Sequence, residues 1–191
     1  MTDKIKFYSM NAQGLSDKNK RKDVFNFLKS KKGTIYFLQD THFTDTEINC
    51  IYIEFGFRCY FSNFRSSSRG VAFFISNDVD FKLFSKYNDE EGNMLILDCS
   101  INDKRLTLIN IYGPNQDTPE FYKTLKQKIN ESENPCIIGG DYNLVLNPEI
   151  DCFEYLHVNN PKSRDMLIHT IIECDLIDCW RDMNLEKKEF T

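Results

Sequence analysis

An α/β domain with mixed sheets is what this sequence predicts, on three observations. Strand-like and helix-like hydrophobic patterns alternate along the chain, and at four places an apolar strand runs straight into a cluster of amides and carboxylates. The third is bulk: 191 residues, 41% of them hydrophobic, are enough for one domain over 1–191 with a sizeable core. A chain with 28% charged and 14% aromatic residues belongs to the globular class rather than the disordered one.

Residues 4–10 read as a strand, and 19–31 as an amphipathic helix with Val24, Phe27, Leu28 and Lys31 at helical spacing. A short apolar strand at 34–39 follows, then a weaker helix around 45–53. Strands are expected at 57–61, 70–75, 81–84 and 94–101, with Asn102-Asp103 as a hairpin turn into 106–112. Thr118 caps a helix with Pro119 in its first position, and Phe121, Tyr122, Leu125 and Ile129 form its buried stripe. A strand at 135–139 and a helix at 164–173 complete the pattern. There is no internal repeat, low-complexity tract or linker.

The net charge of −5 excludes a protein that grips DNA through a uniformly basic surface. Basic residues do concentrate at Lys18, Lys20, Arg21, Lys22, Lys29, Lys31 and Lys32, against the single Asp23. Such a run is ordinarily a solvated helix face, and a phosphate-contacting edge is the alternative. No apolar run approaches a membrane span, and the first residues lack the apolar stretch of a signal peptide. The seven cysteines are odd in number and without a CxxC pair, which reads as reduced thiols. A nuclear or cytoplasmic protein, not secreted and not membrane-bound, is expected.

Chemistry should sit at the strand ends, because a sheet delivers side chains to a shared edge. The first strand ends in Asn11-Ala12-Gln13-Gly14-Leu15 and the second in Leu38-Gln39-Asp40-Thr41-His42. The other two ends are Asn110-Ile111-Tyr112-Gly113-Pro114-Asn115 and Gly139-Gly140-Asp141-Tyr142-Asn143. Each alone is ordinary turn chemistry, and the Gly139-Gly140 pair alone could be a loop needing positive φ. Four together point to a site. Asp40 and Asn11 are hard oxygen donors of the kind Mg²⁺ prefers. Asp141 could orient or deprotonate a water, and the Asn143 amide could bind a phosphate oxygen or the developing charge. Tyr112 could position the phosphate or donate a proton. Those are the ingredients of phosphodiester hydrolysis.

Those four blocks, in that order, resemble the signature of the endonuclease/exonuclease/phosphatase superfamily, from Ile5 to about Thr191. The Thr41-His42 pair, Ser68-Arg69-Gly70-Val71-Ala72 and Leu176-Ile177-Asp178-Cys179-Trp180-Arg181 look like the branch formed by LINE-type (non-LTR) retrotransposon endonucleases. The resemblance implies a two-sheet α/β sandwich flanked by helices. In it Asp40 would bind the metal with Asn11 beside it, Tyr112, Asn115 and Asn11 would hold the phosphate, Asp141 would align the water, and Asn143 would stabilise the transition state. It further implies Mg²⁺, with Mn²⁺ as substitute, double-stranded DNA as substrate, and a reverse transcriptase downstream in the same polyprotein. In such elements the domain nicks one target strand and the freed 3′-hydroxyl primes reverse transcription.

Two departures stand out. Asp40 occupies a position where the family usually carries Glu, one methylene longer. The family's late Asp and Ser-Asp-His blocks have no counterpart before Thr191, and neither His42, His157 nor His169 fills that role by motif. The sandwich is therefore expected to be truncated at the C-terminus and the 191-residue chain inactive or nearly so. The alternatives are an apurinic/apyrimidinic endonuclease or 3′-exonuclease of the repair type, and a non-catalytic retroelement remnant. A phosphoinositide or sphingolipid phosphodiesterase fits these blocks less well.

Overall fold

Two apolar runs organise the fold, because 35–39 and 71–75 are buried along their whole length. The structure is a computed structural model and describes residues 4–152, 160–185 and 187–188; His157 and the final residues 189–191 lie outside the described residues. The chain falls into two compact units: Met1–Tyr112 with Asn134–Tyr142, and Gly113–Glu133 with Asn143–Thr191.

The first unit carries two 4-stranded sheets. One has the order β1 (Phe7–Asn11), β2 (Ile35–Gln39), β4 (Val71–Ile75), β3 (Arg58–Ser62). The other runs β5 (Phe81–Asn88), β6 (Met94–Ile101), β7 (Lys104–Tyr112), β8 (Cys136–Asp141). β1 and β2 are parallel, as are β7 and β8, and every other pairing is antiparallel. A parallel pair needs a crossover. α1 (Lys18–Ser30) supplies the first, and the chain between β7 and β8 passes through α3 (Pro119–Asn130).

The period of two in β2 and β4 explains why both read as unbroken apolar runs. Ile35, Phe37, Val71, Phe73 and Ile75 join Leu95, Leu97, Cys99, Ile101 and Leu108 of the other sheet in one core between the sheets. Their alternates Tyr36, Leu38, Ala72 and Phe74 form a second core with Phe25 and Leu28 of α1 and with Ile51 and Phe55 of α2 (Ile48–Phe55). A strand covered on both faces has no reason to alternate. Aromatic rings set the spacing in both layers: Phe37 meets Phe73 edge-on at 4.7 Å, and Phe25 meets Phe55 likewise at 4.7 Å.

Most expected elements form, with informative differences. In α1 the inward apolar residues are Phe25, Leu28 and the partly buried Val24, while Phe27 is exposed and only grazes Lys31. Arg21, expected on a solvated or phosphate-contacting face, is instead 1% exposed. Its Nε and Nη2 donate to the two Glu54 oxygens of α2 at 2.7 and 3.0 Å, and Nη1 donates to the Leu15 carbonyl at 2.8 Å. β5 runs four residues past the predicted end at Phe84, because β6 pairs with polar positions that carry no alternation of their own. Asn102 and Asp103 both take positive φ, 48° and 64°, as a two-residue hairpin turn demands.

In the second unit, α3 buries Tyr122, Leu125 and Ile129, whereas Phe121 stays half-buried. Thr118 holds the N-cap position, but its hydroxyl donates back to the Gln116 carbonyl instead of capping. α4 (Pro148–Asp151) and α6 (Cys179–Met183) are short helices that periodicity does not signal. α5 (Pro161–Glu173) starts three residues earlier than expected; Asp117 accepts the N–H groups of Ser163 and Lys162 at 2.8 and 3.3 Å and so caps it from afar. Arg181, in the block resembling the LINE-type branch, pairs with Asp151 and donates to the carbonyls of Asn184 and Lys187. No helix among the described residues is long and apolar enough to cross a membrane. The seven cysteines are free; burial pushes the Cys59 and Cys99 thiols up to about 12.

Candidate active site

The first unit gathers its polar strand ends at one edge. β1 stops at Asn11, paired in register with Gln39 at the end of β2. β8 stops at Asp141, paired with Tyr112 at the end of β7. The two sheets are joined there by side chains: Asn11 Nδ2 donates to Asp141 Oδ2 at 2.8 Å. The Asn11 carbonyl oxygen Oδ1 in turn accepts the Gln13 N–H at 2.9 Å, which fixes the amide's orientation. Asn11, Asp40, Tyr112 and Asp141 are all half-buried, so each is held yet reachable by solvent.

Beneath this edge lies a polar link that the motifs did not assign a role. Asn110 is 0% exposed. Its Nδ2 donates to the carbonyls of Leu38 and Ala72 at 3.1 and 2.9 Å, and its Oδ1 accepts from Gln39 Nε2 at 2.8 Å. All its hydrogen-bonding reach goes into the opposite sheet, which is the condition under which an amide can be buried at all. Asn110 sits beside Gly139 in the β7–β8 register, and a Cβ on that glycine would come within 2.8 Å of the Phe37 ring. The Gly139-Gly140 pair is thus strand, not loop. Gly140 combines a φ of +153° with a space so tight that a Cβ would lie 2.1 Å from the Ile111 carbonyl oxygen.

Asp40 follows β2 in the left-handed region, with φ of 52°. Its Oδ1 accepts from His42 Nε2 at 2.9 Å and from the Arg69 N–H at 3.1 Å. Among the described residues no hydrogen bond reaches its Oδ2. His42 and Arg69 are themselves at positive φ, 58° and 60°, so three non-glycine residues around one carboxylate hold a sparsely populated backbone conformation. Tyr112 is braced from below: its N–H donates to the Asn93 carbonyl at 2.8 Å, and Asp89 holds the Asn93 and Met94 amides. Burial keeps the Asp89 carboxyl above its ordinary range, against the opposing pull of the Met94 and Asn93 N–H groups.

Asn115 and Asn143 belong to the second unit. Asn143 stands two residues after Asp141, at φ of 51°, and its Nδ2 donates to the Gly113 carbonyl at 2.6 Å. Asn115 is exposed, and its carbonyl accepts from Asn160 Nδ2 at 3.2 Å. The motifs therefore located the strand-end residues, while Asn110, His42 and Arg69 escaped because their partners lie on other strands or in neighbouring left-handed turns.

No family model matches the sequence. A curated relative, the Transposon TX1 uncharacterized 149 kDa protein of Xenopus laevis, is 27% identical over 192 residues, covering 96% of this chain and 14% of that protein. The chain thus spans about a seventh of that relative. Among solved structures, the AP endonuclease LMAP of Leishmania major superposes with a TM-score of 0.76 at 16% identity, over 97% of this chain and 71% of that one. An AP endonuclease of Archaeoglobus fulgidus gives 0.72 at 20% identity, over 98% and 77%. The endonuclease domain of TRAS1, a telomere-specific non-LTR retrotransposon, gives 0.63 at 16% identity, over 89% and 72%. With two mixed sheets packed face to face and helices outside them, this chain shares the fold of these AP endonucleases and of the TRAS1 endonuclease domain.

Proposed function

We propose that the chain is a Mg²⁺-dependent phosphodiesterase domain that nicks one strand of double-stranded DNA for retroelement insertion, with Mn²⁺ able to substitute. The observation that carries this reading is the 2.8 Å bond joining Asn11 to Asp141 across the two sheets, level with the end of the strand that leads into Asp40. The donors suit a hard cation. Asp40 Oδ2 and Asn11 Oδ1 are oxygens, and among the described residues no group of three or more His, Cys, Asp or Glu side chains is placed to hold a metal ion. Mg²⁺ is characteristically held by one or two carboxylates, with water and substrate phosphate completing the shell. When bound, the cation would polarise the phosphoryl oxygen as a Lewis acid.

The remaining steps belong to the protein. Asp141, oriented by the Asn11 amide, aligns the attacking water and takes its proton. Asn143, whose amide nitrogen donates to the Gly113 carbonyl, would stabilise the charge that builds on the phosphate. Tyr112 and Asn115 hold the phosphate in line. The similarity to a transposon protein supports the retroelement setting, and a reverse transcriptase in the same polyprotein and nuclear DNA as the target are part of the proposal.

The test is conversion of supercoiled plasmid to nicked circle with protein in large molar excess and Mg²⁺ present. Nicking is expected to be weak at most, EDTA should abolish it, and Asp141→Ala or Asn143→Ala should bring it to background. Equal behaviour of wild type and Asp141→Ala leaves only a non-catalytic remnant. Strong preference for an abasic duplex moves the protein to the repair class instead.

A further inference from the structure

His42 follows the proposed metal carboxylate by two residues, and nothing in the reaction outlined above uses it. Its geometry gives it a task. Asp40 is short for its position, and a short carboxylate on a left-handed residue can rotate about χ1 and χ2 unless something stops it. Here Oδ1 is held by the His42 ring at 2.9 Å and by the Arg69 N–H at 3.1 Å. A carboxylate accepts, so the ring nitrogen Nε2 is the donor in this pair.

The ring itself is clamped. Gly14 lies so close that a Cβ there would come 2.7 Å from His42 Nδ1 and 3.1 Å from Cε1. The backbone around it is stitched on every side. The Gly14 N–H donates to the Asp40 carbonyl at 2.7 Å, the Thr41 N–H to the Gly70 carbonyl at 3.0 Å, and the His42 N–H to the Arg69 carbonyl at 2.9 Å. Ser16 Oγ reaches the His42 carbonyl at 3.1 Å. Three loops therefore converge to immobilise one imidazole, whose side chain is 21% exposed against 18% for Asp40.

We infer that His42 is a positioning residue: it pins Asp40 Oδ1 so that Oδ2, unbonded among the described residues, is presented as a single oxygen ligand to the divalent cation. The Ser68–Ala72 segment contributes the second pin through the Arg69 amide. A donor aimed at a metal-ligating carboxylate also fixes ligand geometry before the metal arrives, and removing such a partner typically costs 10–100-fold in metal affinity. This inference rests on the proposed metal site at Asp40.

The experiment measures Mn²⁺ binding by electron paramagnetic resonance of the free ion, with thermal melting alongside, in wild type, Asp40→Asn, His42→Ala and His42→Gln. The Gln amide nitrogen can reach the place of the ring Nε2. Expected are loss of site-specific binding in Asp40→Asn, a 10–100-fold weaker Kd in His42→Ala, and recovery to within about threefold in His42→Gln. If Asp40→Asn binds like wild type, the metal-site reading itself fails. If Asp40→Asn loses binding while His42→Ala keeps it, the site stands and the positioning role is overturned. Equal weakening in Ala and Gln, paralleling a common drop in melting temperature, assigns His42 to structure alone and also overturns it.

Discussion

Gly140 shows how tightly single residues are constrained where β8 approaches the site. A Cβ would sit 2.1 Å from a backbone oxygen, and backbone cannot swing aside as a side chain can. Gly140→Ala is therefore expected to cost more than about 3 kcal/mol, overpacking and an unfavourable φ acting together, read as a fall in the urea midpoint at unchanged m-value. The strand-end residues Asn11, Asp40, Tyr112 and Asp141 were legible because each follows an apolar run, and a run plus an abrupt polar stop is visible in one dimension. The pairing of His42 with Asp40 was not. Two residues that are neighbours but one rarely meet side chain to side chain, and do so here because both adopt positive φ. Arg21 misled for a related reason: in a basic run its charge matched its neighbours, and only its acceptors, Glu54 and the Leu15 carbonyl, separate it from them.

Elements were legible where burial is one-sided or complete and less so at edges. β6 spans Met94–Ile101 as predicted, since its apolar residues face a filled core. β5 outran its pattern because an edge strand needs only a partner's backbone; its lysines at 82 and 86 and its register shift between Leu83 and Ser85 are features that discourage further pairing. The attachment of α1 to α2 is electrostatic as well as apolar. The Arg21 hydrogen bond holds the Glu54 carboxyl below its ordinary value of 4.5. A depressed carboxyl stabilises the fold above that value and loses its contribution as pH falls through the folded-state pKa. Glu54→Gln should thus lower Tm at neutral pH, and the gap to wild type should close in melts taken well below pH 4.5. A gap that persists unchanged into acid would mean that the difference does not come from the Glu54 charge.

At the scale of the whole molecule, the sandwich in the first unit was implied by the resemblance of its motifs, and no local pattern could have said which strands pair. The order β1-β2-β4-β3 depends on contacts between residues far apart in sequence, and the division into two units depends on them too. Asn110→Leu tests what joins the sheets. The leucine fits the apolar layer but takes one donor from each of the Leu38 and Ala72 carbonyls and leaves the Gln39 amide only Ser9 Oγ, for a loss of about 3 kcal/mol in urea unfolding. Asn110 has a consequence beyond energy. An amide that grips two carbonyls on adjacent strands and a side chain on one of them acts as an indexing pin: β7 cannot slip a residue along the opposite sheet without withdrawing it. Four strand ends, at Asn11, Gln39, Tyr112 and Asp141, thereby halt at a common level, and the alignment of the reactive edge is decided one layer below it.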